Sequence, residues 1–227
     1  REGPFLERTL KNFDGLQIPH EIIITDGGST DETLDVARRY TEKITVWQET
    51  GRQTFGEAKN AGAALANGTF LVFIDADVII PSPQSFFEEI LKVFEKNIKL
   101  VATTAPLKPF AENHSWTDAF FSAPLNWFYI ISNNIFHSGN SSGEFQMVRA
   151  EAFRKIGGFS EHLAAGEDNE LFRQLATIGR TMSYSKLCVR HSLRRPHKLG
   201  WLTTYGIWIK NGLSVAIRGK AAYKEWS

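Results

Sequence analysis

Two aspartates one residue apart, Asp75 and Asp77, close the apolar run Phe70-Leu71-Val72-Phe73-Ile74. Hard carboxylate oxygens at this spacing suit Mg²⁺ or Mn²⁺, which in turn bridge phosphate oxygens. The same pair could instead cap the turn that ends the run. Asp26 follows a second apolar segment, Ile22-Ile23-Ile24-Thr25, and opens Asp26-Gly27-Gly28-Ser29-Thr30-Asp31. Its glycines let backbone approach a ligand closely, while Ser29, Thr30 or Asp31 could simply cap the next helix. Glu167 and Asp168 follow Gly166 at the start of a helical pattern. An acid there can accept a proton from a hydroxyl in a cleft, or merely complement the helix dipole. His191-Ser192-Leu193-Arg194-Arg195, followed by His197, is a basic cluster. Its adjacent arginines can grip a diphosphate bidentately, and His191 reads either as a metal ligand or as a structural histidine.

These groups can meet only if strands deliver them to one edge. The chain alternates strand-like and helix-like segments in its first half. Strands are expected at 21–25, 44–47, 70–74 and 99–104, and helices at 31–40, 55–66 and 85–95. The alternation predicts an α/β fold with a mostly parallel sheet flanked by helices, and the continuous 70–74 run predicts a strand buried on both faces. Ligands of such sheets bind beyond the carboxyl ends of the strands, where Asp26, Asp75 and Asp77 lie. Further on, 116–136 reads as an interrupted helix, 142–149 as a strand, and 150–156 and 169–178 as helices. Residues 199–217 form an amphipathic helical pattern. This divides the chain into a catalytic body over 1–198 and a helical tail over 199–227. The first helical pattern (Phe5, Leu6, Leu10) has no strand before it, so the chain is expected to begin part-way into the fold.

Composition sets the outer bounds. The chain has 227 residues, 42% hydrophobic and 22% charged, with 26 basic against 25 acidic side chains. That is enough chain for a substantial core, and the balance is too apolar for disorder. A formal charge of +1 gives no basic excess for nucleic acid. The single cysteine, Cys188, fits a reducing compartment. No apolar run reaches the ~18 residues of a membrane span, and no signal peptide opens the chain. The expected location is therefore cytoplasmic.

The ordered motifs Asp26-Gly27-Gly28-Ser29-Thr30-Asp31, Lys59-Asn60-Ala61-Gly62, Asp75-Ala76-Asp77, Gly157-Gly158-Phe159 and Glu167-Asp168 resemble the nucleotide-sugar glycosyltransferases of family 2, which have the GT-A fold. The resemblance runs from about residue 25 to 200. It implies that Asp26, Gly28, Asp31, Lys59 and Asp75 hold the donor nucleotide, with Arg194 and Arg195 on the diphosphate. Asp75, Asp77 and His191 would hold Mn²⁺ or Mg²⁺, and Asp168 would be the general base of an inverting transfer. The implied donor is a UDP- or GDP-sugar, and the implied acceptor is a hydroxyl on a saccharide or a lipid-linked molecule. The loop from Gly139 to Gly143, with Glu144 after it, would lie near the sugars. The family's first strand, with its loop over the nucleotide, is absent, and Arg1-Glu2-Gly3 is the expected remnant. Two other readings fit part of the pattern: a polyprenyl-phosphate sugar synthase, such as a mannosyltransferase, and a sugar nucleotidyltransferase.

Aromatic residues are 12% of the chain and unevenly spread. Trp116, Phe120, Phe121, Trp127, Phe128, Tyr129 and Phe136 crowd one segment, and Trp201, Tyr205 and Trp208 the tail. Such side chains are either core or an interfacial platform. The second reading predicts a peripheral membrane contact that receives a lipid-linked acceptor.

Overall fold

The computed structural model describes residues 3–113, 115–218, 220 and 222. Arg1 and Glu2, two of the three residues of the expected loop remnant, lie outside them, as do 219, 221 and 223–227 of the tail. The first described element is α1 (Gly3–Lys11), which buries Leu6 and Leu10. It packs with α2 (Thr33–Arg38) around β1 (Ile24–Asp26) in a small core of Leu6, Leu10, Ile24, Val36 and Ala37. β1 pairs in parallel with β2 (Ile44–Val46). α3 (Phe55–Leu65) follows, and its first turn is closed by a capping box between Thr54 and Glu57.

The central sheet has the order β3-β7-β5-β8, from β3 (Phe70–Ile74), β7 (Phe145–Arg149), β5 (Leu100–Thr104) and β8 (Arg180–Ser183). A three-stranded sheet lies at its end, with β9 (Val189–His191) between β4 (Val78–Ile79) and β6 (Leu107–Pro109). One face of the central sheet carries α4 (Pro83–Lys96), whose Phe86, Ile90 and Phe94 are fully buried against Leu100, Phe145 and Met147. Each such side chain contributes roughly 1.5–3 kcal/mol of burial. On the other face, α6 (Ala150–Ile156) and α7 (Glu167–Ile178) set Phe153, Leu171, Phe172 and Leu175 on Leu71, Ala102 and Val148. The 19-residue α5 (Trp116–Asn134) lies against β6 and β8, and α8 (Arg194–Leu199) and α9 (Trp201–Arg218) end the described fold.

The α/β class and the helix-flanked sheet are as expected, but the strand directions are mixed. Three of the six ladders among the described residues are parallel and three antiparallel. β7 is the cause. It enters from a loop rather than a βαβ crossover, and runs antiparallel between β3 and β5. β3 is not buried on both faces as its composition suggested: it ends the hydrogen-bonded order, and Val72 is 37% exposed. The doubly buried strand is β5, each of whose five residues is buried. The division between 198 and 199 falls within α8, with Gly200 at φ 81° making the turn into α9.

Candidate active site

The Asp75–Asp77 turn is held from two sides. The Thr9 hydroxyl on α1 is placed to donate to the carbonyls of Ala76 and Val78, at 2.7 and 2.9 Å. From the sheet, Asp75 N–H donates to the Glu144 carbonyl at 3.4 Å, one step beyond the Ile74–Phe145 pair. β4 then pairs Val78 with His191, which brings the basic cluster alongside. The Ser192 hydroxyl donates to Asp77, Arg194 Nη2 lies 3.0 Å from Asp77 Oδ2, and Arg194 Nε donates to Ser192 Oγ at 3.1 Å. His191 Nδ1 is 3.8 Å from Glu144 Oε1. The fold thus unites Asp75, Asp77, His191 and Arg194, with Glu144 among them.

Asp75 opens to solvent in this crowded corner. Its carboxyl is pushed up to about 8, first by the protein mass around the cleft and further by Glu144, Asp168 and Asp77, with Lys59 opposing. Arg195 is half-buried, and burial lowers its guanidinium from the ordinary value while Glu144 and Asp75 oppose the shift. Arg52 adds to the lowering, which places a further cation in the same field. Among the described residues, no three His, Cys, Asp or Glu side chains form a ready cage for a metal ion. The donor set is nevertheless hard, oxygen-rich and short of positive charge at Asp75. That chemistry fits a divalent cation whose remaining ligands come from phosphate oxygens and water.

A second acidic group stands at the start of α7, and Asp168 and Lys59 there act on the charge of Asp75. Lys59 Nζ, from α3, is 2.6 Å from Asp168 Oδ1 and 3.7 Å from Glu167 Oε1, and it sits 5.1 Å from the centre of the Phe159 ring. Burial alone would lower the Lys59 ammonium, but Asp168, Asp75 and Glu167 outweigh it and raise it well above the ordinary value. Glu167 is buried, and its carboxyl is pushed up to about 8 by that burial and by Asp168, with Lys59 opposing. The neighbouring Asn60 accepts from Phe159 N–H at 2.9 Å and donates to the Phe159 carbonyl at 3.0 Å. The Lys59-Asn60 and Gly157-Gly158-Phe159 motifs are therefore in contact, as side chain on backbone. The 139–143 loop runs close against α7. A Cβ on Gly143 would lie 2.5 Å from Asp168 Oδ2, and one on Gly139 2.1 Å from the Phe172 carbonyl. Asn169 Oδ1 accepts from Ser141 N–H at 3.2 Å.

The first motif stands apart from both groups. Asp26 is buried, and its Oδ1 accepts from Gly28 and Ser29 N–H at 2.9 and 2.7 Å. Gly28 makes that turn possible at φ 92°. Asp31 accepts from the Thr33 hydroxyl at 2.5 Å and the Thr33 N–H at 3.2 Å, and the hydroxyl is the main reason its carboxyl is held below the ordinary value. Both carboxylates thus shape the turn into α2. The turn is tied to the site through Ala76, which packs beside Ile24 and Val36. Asn60, Ser192 and Tyr129 had no assigned role at the site in the sequence. The Tyr129 phenol is raised by burial, with Glu144 and Asp168 adding to the shift. Glu144, expected near the sugars or at the surface, is set beside Asp75 by the strand register.

Comparison with known proteins bears on the family and the fold. The glycosyl transferase family 2 model matches residues 1–157. An O-antigen chain rhamnosyltransferase of Salmonella anatum is 28% identical over 79% of this chain and 57% of its own. An uncharacterized glycosyltransferase of Haemophilus influenzae is 29% identical over 74% of this chain and 54% of its own. The chain thus spans little more than half the length of these relatives. Among solved structures, a mannosyltransferase from Pyrobaculum calidifontis in complex with GDP-Man and Mn²⁺ superposes with a TM-score of 0.74 at 20% identity, over 96% of this chain and 62% of that one. Glucosyl-3-phosphoglycerate synthase from Mycobacterium tuberculosis, with Mg²⁺ and UDP, gives 0.61 at 18% identity, over 96% and 75%. These likenesses show the GT-A fold.

Proposed function

The chain belongs to glycosyl transferase family 2, and from that membership we propose that it is a metal-dependent, inverting glycosyltransferase. It moves a sugar from a UDP- or GDP-sugar to an acceptor hydroxyl on a saccharide or lipid-linked molecule. The observation that carries this reading is the carboxylate of Asp168 at the start of α7, 2.6 Å from Lys59 and near enough to Asp75 to act on its charge, with Arg194 3.0 Å from Asp77.

Asp168 accepts the proton of the acceptor hydroxyl as that oxygen attacks the anomeric carbon from the face opposite the diphosphate. One displacement inverts the centre, so no protein nucleophile is required. Lys59 positions Asp168 and keeps its charge compensated before the acceptor arrives. Arg194 and Arg195 bind the diphosphate from the basic side, with guanidinium geometry matched to phosphate oxygens. Ser192 orients Asp77. Asp75 and Asp77, with His191 beside them, would hold Mn²⁺ or Mg²⁺, which supplies compensation for charge developing on the leaving diphosphate. Asp26, Gly28 and Asp31 shape the turn that meets the nucleotide. The catalytic body spans 1–198, with 199–227 as an appended helical tail, and the enzyme works in the cytoplasm at a membrane face. Product analysis tests the reaction: release of nucleoside diphosphate with an inverted glycoside supports it, and pyrophosphate release overturns it. A thermal-shift series of nucleoside diphosphates with and without Mn²⁺ tests the donor separately, because a ligand of the native state raises its melting temperature by mass action.

A further inference from the structure

The aromatic segment splits into an inward and an outward set. Phe121 stacks on Trp201 with ring centroids 5.5 Å apart, and the Tyr205 hydroxyl donates to the Phe121 carbonyl. Asp118, 2% exposed, accepts from Ser115 Oγ at 2.7 Å and Trp201 Nε1 at 2.9 Å, with His197 Nε2 at 3.1 Å. Burial alone would raise its carboxyl; these three partners outweigh that and hold it below the ordinary value. The contacts lock α9 to α5 along one side of each helix.

Another side of each helix is left uncovered. On α5, Trp116 is 78% exposed and Trp127 63%, with Phe120 between them on the same stripe. Steps of four and seven residues keep the three within about 40° of one another around the helix. On α9, Leu202 is 78% exposed, and Ile209 and Leu213 share its stripe. The charge is one-sided too. Apart from the two arginines of the candidate site, α5, α8 and α9 carry the exposed cations Lys198, Lys210 and Arg218 against a single acid, Asp118, which is buried.

We propose that the outward faces of α5 and α9 dock on an anionic lipid bilayer, the rings entering the headgroup layer and the basic residues pairing with lipid phosphates. Exposed Trp and Phe beside Lys and Arg, with no exposed acid on the same helices, match what an anionic interface attracts. A symmetric contact with a second copy would bring the same cations face to face, which is unfavourable. None of the described helices is long and apolar enough to cross a membrane, so the contact is peripheral. The surface gives the proposed transferase a way to meet its acceptor. On its inner side α5 holds the 139–143 loop, Asn133 donating to the Asn140 carbonyl at 2.6 Å, and Gly143 of that loop abuts Asp168. This inference rests on the transferase reading only for that purpose.

Vesicle flotation of the full-length protein is the test, using phosphatidylcholine with and without phosphatidylglycerol. The expected result is flotation with the anionic vesicles, weakening as salt rises. Lys198→Ser and Lys210→Ser should each lower the partition coefficient about fivefold, and the triple variant W116S/F120S/W127S by about tenfold or more. All three rings are exposed, so the triple variant should keep the wild-type melting temperature and nucleotide response, which separates this outcome from failure of the donor reading. A wild-type protein that stays in the aqueous fraction overturns the proposal. So does binding that the triple variant leaves unchanged, or a concentration-dependent dimer that the triple variant abolishes.

Discussion

The site holds two acidic groups built in opposite ways. Asp75 is exposed and repelled by Glu144, Asp168 and Asp77; Lys59 offsets part of that charge, and Arg194 stands beside Asp77 where it also suits a phosphate ligand. At the head of α7, Glu167 is buried and Asp168 partly covered, and the nearly buried Lys59 lies 2.6 Å from Asp168 and 3.7 Å from Glu167. In the proposed transferase the open corner would take the metal and the diphosphate, and the group on α7 would take the proton of the acceptor.

Asp168→Asn attacks the group on α7 with the largest expected effect. Turnover should fall about 10³-fold, the scale of a lost general base, with the nucleotide-induced thermal shift retained. Wild-type turnover in this variant would remove the distinction between the groups. Lys59→Met leaves two carboxylates without their internal partner and should cost about 3 kcal/mol of stability, read by urea unfolding, with Lys59→Arg recovering much of it. Asp77→Asn attacks the open corner. The Mn²⁺ concentration needed for half of the nucleotide-induced shift should rise about tenfold, while stability without ligand changes little. An equal loss without metal would mean that Asp77 serves Ser192 and Arg194 rather than a cation.

Acidity gives the smallest effect. Glu167, buried and raised to about 8, binds more protons folded than unfolded between its ordinary value and that point. Stability should therefore fall as pH rises from about 5 to about 8, because the folded state must surrender the extra proton. Melting curves across that interval should show the decline, and Glu167→Gln should reduce it, leaving the share of Asp75, which is also raised to about 8.

The sequence carried the Asp75–Asp77 pair, Lys59 and Glu167-Asp168 because strand-end acids and helix-start acids are local patterns. It could not carry strand direction: Phe145–Arg149 has the same composition whichever way it runs, and only its antiparallel placement sets Glu144 beside Asp75. Nor could helical spacing say which rings of α5 face inward. Phe120 and Phe121 are chain neighbours, yet one is exposed and the other stacks on Trp201. The aspartates of the first motif were legible as turn residues and as ligand contacts alike, and their observed hydrogen bonds are those of the turn. Non-local partners decide the first two cases, and partners two or three residues away decide the third.

Lys59 and Asn60 are consecutive on α3, yet one reaches the α7 carboxylates and the other brackets Phe159. Their aim is fixed by the Thr54–Glu57 cap that starts the helix. Deleting one residue between cap and lysine would turn both side chains by about 100° and break both connections at once. Among variants and homologues, α3 should therefore tolerate substitution on its exposed side but keep its cap-to-lysine spacing, with insertions and deletions displaced into the 47–53 loop before it.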